Sequence, residues 1–172
     1  MAKDVTASEL LLEFKDVKLW MGLEVASLKI MAPCAAMSLR PFTFELPNKG
    51  LMEAVVEEAG IKALLEAQAP AQLRNLHVSA HEGKLFVTGI AKLGFKIPIE
   101  AVAELYIEEE CRLLVRLLST GNLPGPVHDL LAKQVEKANP LLEASDWPVR
   151  VSFTSVACGE GKVVLRGLAL GF

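Results

Sequence analysis

Aromatic residues are scarce in this chain of 172 residues, where Phe, Trp and Tyr make up 6% although 52% of the residues are hydrophobic. The apolar side chains are therefore mainly aliphatic, which suits a dry cavity for flexible chains better than a site that stacks bases. Basic residues are also few, because 18 Lys and Arg stand against 21 Asp and Glu and leave a net charge of -3. A nucleic-acid binder needs a basic face, so no nucleic-acid partner is expected.

Cysteine is rare, since Cys34, Cys111 and Cys158 lie far apart and form no CxxC pair. Neither a disulfide framework nor a zinc site is predicted, and a reducing compartment is expected. No segment approaches 18 apolar residues without a charge, and residues 1–9 show no basic stretch followed by an apolar one. We therefore predict no membrane-spanning helix and no export signal, and expect a cytoplasmic protein whose residues 1–172 form one domain.

Motifs for catalysis and for cofactor binding are missing. His77 and His81 are four residues apart, but they fall on a predicted strand and its turn with no third metal ligand. Residues 158–162 resemble the end of a phosphate-binding loop without its first glycine, so a hairpin turn is the better interpretation. The acidic run 108–110 has no nucleophile near it and is interpreted as a charged turn. The sequence predicts a protein that is not an enzyme and that holds no metal and no cofactor.

The most regular pattern in the chain is the alternation of apolar and polar residues from 96 to 108. A period of two predicts a strand with one dry face, and the alternation resumes from 111 to 119 after the acidic run. A long antiparallel hairpin results, which follows a shorter predicted hairpin at 73–90 and completes a four-stranded meander.

Weaker alternation predicts a hairpin within 8–32, a short strand at 35–46 and a closing hairpin from 149 to 170. Apolar residues at helical spacing predict a first helix, capped by Asn48 and stopped by Pro70, and a second helix that ends at Asn139. The predicted fold class is α+β, with a long, strongly curved antiparallel sheet wrapped around two main helices.

The apolar faces of these elements are candidates for binding a lipid. The candidate residues are Met52, Val55, Val56 and Leu64 on the first helix, Val127, Leu131 and Val135 on the second, and Ile97, Ile99, Leu105, Ile107, Leu113, Val115 and Leu117 on the long hairpin. Two interpretations remain open. Either these residues form an ordinary core, or sheet and helices stand apart and leave an aliphatic groove.

Several short motifs resemble a known family. They are 51–55 (LMEAV), 82–89 (EGKLFVTG) ahead of 97–99 (IPI), 111–116 (CRLLVR), 121–124 (GNLP) and 161–167 (GKVVLRG). In their order they resemble the tubular lipid-binding (TULIP, BPI-like) superfamily, and within it the LmeA-type family of small bacterial phospholipid-binding proteins, over residues 45–172. The resemblance implies a sheet wrapped around a helix and a lipid ligand. Members of that family are typically exported, so a periplasmic role is not carried across to this chain.

Two functions from different classes follow. The first is the binding or carriage of a lipid or fatty acid in the aliphatic groove, with peripheral membrane contact through Trp20, Met21 and Phe95 near predicted corners. The alternative is a structural or assembly module that forms a homodimer by burying its apolar sheet face, because large exposed apolar patches usually mark such contacts.

Overall fold

The computed structural model describes residues 4–19, 22–39 and 41–171. Within them the chain forms two α-helices, α1 (Glu58–Gln68) and α2 (Gly125–Ala138), and a short 3-10 turn (Ala144–Asp146). The strands are β1 (Asp4–Ala7), β2 (Leu10–Lys18), β3 (Glu24–Ala32), β4 (Ala35–Leu39), β5 (Phe42–Glu57), β6 (Leu73–His81), β7 (Lys84–Leu93), β8 (Phe95–Glu108), β9 (Arg112–Ser119), β10 (Leu142–Glu143), β11 (Arg150–Gly159) and β12 (Lys162–Gly171).

The strands form two antiparallel sheets. The large sheet has the order β1-β4-β5-β12-β11, and β3 and then β2 continue it from the same edge of β5 that pairs with β4. This is possible because β5 has 16 residues and pairs with β4 at its start and with β3 at its end. The small sheet has the order β10-β9-β8-β7-β6. The protein is therefore an α+β protein with strongly curled antiparallel sheet, as the predicted class states.

The turns of the small sheet join it to β11 of the large one. The amide of Phe153 donates to the carbonyl of Glu110 at 2.6 Å, and the amide of Gly83 donates to the carbonyl of Cys158 at 2.9 Å. The side chain of Glu58, the first residue of α1, accepts a hydrogen bond from the amide of Ala80 at 2.8 Å. The inner faces of the two sheets are thereby held towards each other.

Most of the predicted elements are confirmed. The hairpin in the N-terminal region (β2 and β3), the meander from 73 to 119, the second helix and the closing hairpin all form. In the long hairpin Leu105 pairs with Val115 and Ile107 with Leu113, which places these side chains on one face as the alternation predicts. The acidic run forms the β8–β9 turn, where Glu109 and Glu110 both have positive φ.

The first predicted helix is wrong over its N-terminal half. Met52, Val55 and Val56 lie on β5, and α1 begins only at Glu58. Residues 52, 54 and 56 face the core, since this segment is hydrogen-bonded between β3 and β12. Met52, Val55 and Val56 fall on one helical face, whereas residues 52, 54 and 56 alternate as on a strand. The local sequence is compatible with both, and pairing with two neighbouring strands decides between them.

Two other predicted boundaries are wrong because β5 continues through them. Asn48 is not an N-cap but an exposed residue within β5, and Pro47 does not end the strand. β12 pairs with Gly50 and Glu45 but skips the residues between them, so a bulge removes the ladder hydrogen bond that proline could not donate. The short strand predicted at 35–46 is accordingly divided between β4 and the start of β5.

The core consists of two clusters. The larger lies between the two sheets, and its fully buried side chains include Phe153, Leu28 and Ile30. The smaller lies under the start of α2, where Val127 packs with Leu73, Leu76, Ala91, Ile99 and Ala101. Since the buried residues of α2 are Val127 and Ala138, near its two ends, its middle lies less tightly on the sheet.

Candidate functional site

A cavity of about 120 Å³ lies between the two helices and the inner face of the small sheet. Helix α1 contributes one wall, α2 the cover, and strands β6 to β9 the floor. The lining residues are Ile61, Leu64, Leu65, Gln68, Ala69, Leu73, Leu76, Leu85, Val87, Ala101, Ala103, Val115, Leu117, Leu131, Gln134, Val135, Ala138 and Leu141. All of them are aliphatic except two glutamines, so the cavity carries no charge of its own.

A second, smaller space of about 40 Å³ adjoins the cavity. It shares Ile61, Leu64, Leu85 and Leu141 with the first and extends towards the large sheet, where Val56, Val163 and Leu165 line it. Trp147 lines it as well, with its ring edge-on to Phe153 at 6.0 Å between centroids. The Nε1 of Trp147 is buried and finds no acceptor among the residues that the structure describes.

Two side-chain amides hold α2 in place over the cavity. Gln134 Nε2 on α2 donates to the backbone carbonyl of Gln68 at 2.7 Å, which joins the middle of the cover to the end of α1. The side chain of Asn139, directly after α2, donates to the carbonyl of Val115 and accepts from its amide, both at 2.8 Å. Asn139 thus forms the two hydrogen bonds with Val115 of β9 that a neighbouring strand would form. They hold the C-terminal end of α2 against the sheet edge.

Eight of the fourteen candidate residues line these spaces. Leu64, Val115, Leu117, Leu131 and Val135 line the larger cavity, and Val56, Leu105 and Leu113 line the smaller one, as Leu64 also does. The middle of the stripe on α2 and part of the dry face of the long hairpin therefore meet around the larger cavity.

The other six candidates lie elsewhere. Met52 is fully buried in the main core, and Ile107 packs against that core. Ile97, Ile99 and Val127 belong to the smaller cluster under the start of α2. Val55 lies half-buried on the outer face of the large sheet, because its strand alternates where a helix was predicted.

The residues predicted from the sequence do not include the small residues that form the floor of the cavity. Ala101 and Ala103 sit on the dry face between larger neighbours, and their short side chains leave the space that the cavity occupies. The alternation places both on that face. Leu85 and Val87 from β7 and Ile61 and Leu65 from α1 also line the void, and only the packing of these elements against one another reveals their role.

Five charged side chains of the long hairpin form ion pairs with each other, and none of the five lines the cavity. Arg116 pairs with Glu104, and Arg112 pairs with Glu108 at 3.3 Å and with Glu109 at 2.7 Å. The hydrogen bond to Glu109 raises the pKa of the Arg112 guanidinium. These pairs keep the outer surface polar and leave the inner one aliphatic.

Groups with chemical reactivity are sparse over the described ranges. No cluster of three or more His, Cys, Asp or Glu side chains there could hold a metal ion. His81 stacks on Phe86 at 3.9 Å between ring centroids. Burial raises the pKa of the Cys158 thiol, which disfavours the nucleophilic thiolate at neutral pH.

Larger depressions occur on the surface, but their chemistry differs. One of about 340 Å³ lies at the corner between α1 and β6 and includes Glu66 and Arg74. Another of about 270 Å³ lies between Arg74, Lys92 and Lys96. Charged side chains line both, so neither would remove an aliphatic ligand from water as the inner cavity does.

The corners predicted to touch a membrane are described only in part. Phe95 begins β8 at the β7–β8 turn and is 68% exposed, and Trp20 and Met21 lie outside the described residues. No helix in the described part of the chain is both long and apolar enough to cross a membrane.

The fold and the cavity define a curled α+β protein with an uncharged aliphatic void. Comparison with protein-family models, with curated proteins and with solved structures finds no match.

Proposed function

We propose that this protein is a non-enzymatic, cytoplasmic lipid-binding protein of the tubular lipid-binding type, which holds a fatty acyl chain between the small sheet and the two helices. The observation that supports this proposal is the cavity of about 120 Å³, lined by aliphatic side chains and two neutral amides. Pockets for apolar ligands are lined in this way, with a few polar groups at defined positions.

The size of the cavity indicates which part of a lipid it takes. An aliphatic cavity of about 150 Å³ accepts a molecule as large as benzene, so this one accepts the end of a single acyl chain. Each buried methylene contributes about 0.8 kcal/mol, and four of them about 3 kcal/mol before ordering costs. A longer chain gains more only if the cover moves outward.

Helix α2 is suited to that movement. Its middle residues Leu131 and Val135 are half-buried, whereas the helix is anchored at Val127 and beyond its end at Asn139. The hydrogen bond from Gln134 to the carbonyl of Gln68 is the contact that must open if the middle of α2 lifts from α1. The bound acyl chain would then contact the apolar surface that this movement would otherwise expose to water.

Trp147 provides a direct test, because it lines the space next to the cavity. The chain has two tryptophans, so Trp20→Phe leaves Trp147 as the single emitter. Fatty acids brominated at successive carbons should quench its emission, and most strongly when the bromine is near the chain end. Affinity should rise with chain length, and native mass spectrometry should detect bound acyl chains. No quenching at any bromine position, together with purified protein free of lipid, would contradict the proposal.

A matched pair of variants locates the binding. Leu131→Gln places a polar group in the cavity and should weaken quenching, because the new amide must be desolvated. Ala132→Gln changes the exposed face of the same helix and should leave quenching unchanged. Equal effects of the two variants would place the ligand outside the cavity.

The alternative function, a structural or assembly module that self-associates through its apolar sheet face, stays a prediction. In the structure the residues of that face are buried or half-buried against α2 and the main core. Self-association through the long hairpin would therefore require α2 to move away from that face.

A further inference from the structure

The outer face of the large sheet carries an exposed aliphatic row. Leu11 pairs with Met31, Met31 with Leu51, and Leu51 with Leu168, so the four side chains stand side by side across β2, β3, β5 and β12. Leu11 is 62% exposed, Met31 48% and Leu51 58%. Exposed leucines scattered singly are ordinary on a protein surface, whereas contiguous apolar side chains can form part of a contact surface.

A row of charges runs beside it, one pleat further along the same strands. Glu13, Lys29, Glu53 and Arg166 are cross-strand neighbours in that order. Lys29 pairs with Glu13 at 3.8 Å, and Arg166 pairs with Glu53 at 3.0 Å. The signs alternate as negative, positive, negative, positive. If a second copy of the row is placed opposite in reversed order, each charge faces one of opposite sign.

We propose that a second copy of this chain docks on this face, related by a two-fold axis parallel to the strands and passing between β3 and β5. Such a rotation reverses the order of the strands while keeping each row opposite itself. Lys29 then faces the partner's Glu53, Glu13 faces the partner's Arg166, and Met31 faces the partner's Leu51. A two-fold interface requires this kind of self-complementary patch.

The two rows contribute differently. Aligned sheets pack about 10 Å apart with strands within about 30° of each other, so contacts near the axis are closest. The aliphatic row supplies the apolar surface that is removed from water. The charge row gives mainly register and specificity, because the desolvation of ion pairs offsets most of their attraction.

The extent of the patch sets the strength of the contact. Four strands and the two rows span about 14 Å by about 7 Å, an area well below the roughly 800 Å² that each partner buries in a standard interface. The remainder of the face must contribute, and the dimer is expected to be weak, with a micromolar Kd. An anionic bilayer fits the face poorly, since the row presents two carboxylates and no net positive charge.

The mass in solution tests the proposal. Sedimentation equilibrium should show a reversible doubling of the 18.6 kDa mass as the concentration rises to about 500 µM, above the expected Kd. Leu51→Glu should abolish the doubling, since it buries a carboxylate opposite apolar side chains. Leu118→Glu, an equally polar change at an exposed leucine of β9 in the small sheet, should leave it unchanged. Circular dichroism of both variants checks that they fold.

Reversal of the charge row gives a sharper test. The fourfold variant Glu13→Lys, Lys29→Glu, Glu53→Lys and Arg166→Glu retains a self-complementary row and should still dimerise. A mixture of this variant with the unmodified chain should form both homodimers and no heterodimer, because like charges then face each other. Native mass spectrometry distinguishes the species by mass.

Each other outcome overturns the proposal. A monomer at every concentration would exclude the second copy, and vesicle binding by such a monomer that Leu51→Glu abolishes would assign the face to a membrane. A dimer that persists in Leu51→Glu, or free heterodimer formation in the mixture, would place the interface elsewhere.

Discussion

Filling the cavity should stabilise the protein and remove ligand binding at once. The cavity has room for a larger side chain, since about 120 Å³ between α1, α2 and the small sheet is not filled by protein atoms. Ala101 lies on the floor of that space, and Ala101→Ile adds three carbon atoms that are worth up to about 2.4 kcal/mol when buried. Allowing for rotamer strain, we expect the free energy of unfolding to rise by about 1 to 2 kcal/mol.

Ala91 is the matched control for this substitution. It belongs to the same small core cluster and is completely buried, but it does not line the cavity. Ala91→Ile therefore has no void to enter and should destabilise the fold by about 1 to 3 kcal/mol through overpacking. The two variants make the same chemical change on neighbouring strands and differ in whether space is present.

Urea unfolding measures both free energies, and quenching of Trp147 by brominated fatty acid measures binding. Ala101→Ile should bind the probe at least tenfold more weakly, which corresponds to the loss of about 1.4 kcal/mol or more. If Ala101→Ile destabilises the protein as much as Ala91→Ile does, the reasoning from the void is wrong. If it stabilises the protein and binds as before, the ligand occupies another site.

Three other substitutions test the framework around the site. Asn139→Ala removes both hydrogen bonds to Val115 and should lower the free energy of unfolding by about 1 to 3 kcal/mol in urea, whereas an unchanged value would mean that this anchor of α2 contributes nothing. Gly167→Ala would place a Cβ 2.2 Å from the carbonyl oxygen of Ser152, so the backbone must move. Thermal unfolding should show that the free energy of unfolding falls by about 3 kcal/mol. An unchanged stability would contradict the close approach of β11 and β12. Burial raises the pKa of the Cys158 thiol, so its contribution to the free energy of unfolding should be fully present below the ordinary thiol pKa of 9.0 and should be lost as the pH rises through the raised pKa. Cys158→Ala should remove this loss of stability at high pH. The same pH profile in the variant and the unmodified protein would refute the prediction.

Local pattern was sufficient for the elements whose hydrophobic period is unambiguous. Residues 96–108 alternate too strictly to form a helix, and the stripe after Pro126 repeats at helical spacing over three turns, so β8 and α2 form where predicted. The eight candidates that line the voids come mainly from these two segments and from β9.

Residues 51–57 show where the local pattern fails. Met52, Val55 and Val56 fall on one helical face, whereas residues 52, 54 and 56 alternate as on a strand, and good helix formers surround them. Hydrogen bonds to β3 on one side and β12 on the other settle the strand, and both neighbours are distant in sequence. No window that covers only the local residues contains that information.

The sequence by itself determined an antiparallel α+β chain whose strands and helices carry aliphatic faces, because hydrophobic period depends only on neighbouring residues. The tertiary structure decided whether those faces close on each other or leave room. Packing leaves a void under α2, where Ala101 and Ala103 lie opposite half-buried leucine and valine side chains. The structure also decided that Leu11, Met31, Leu51 and Leu168 form one outer row, since register between strands is fixed only when the whole sheet assembles.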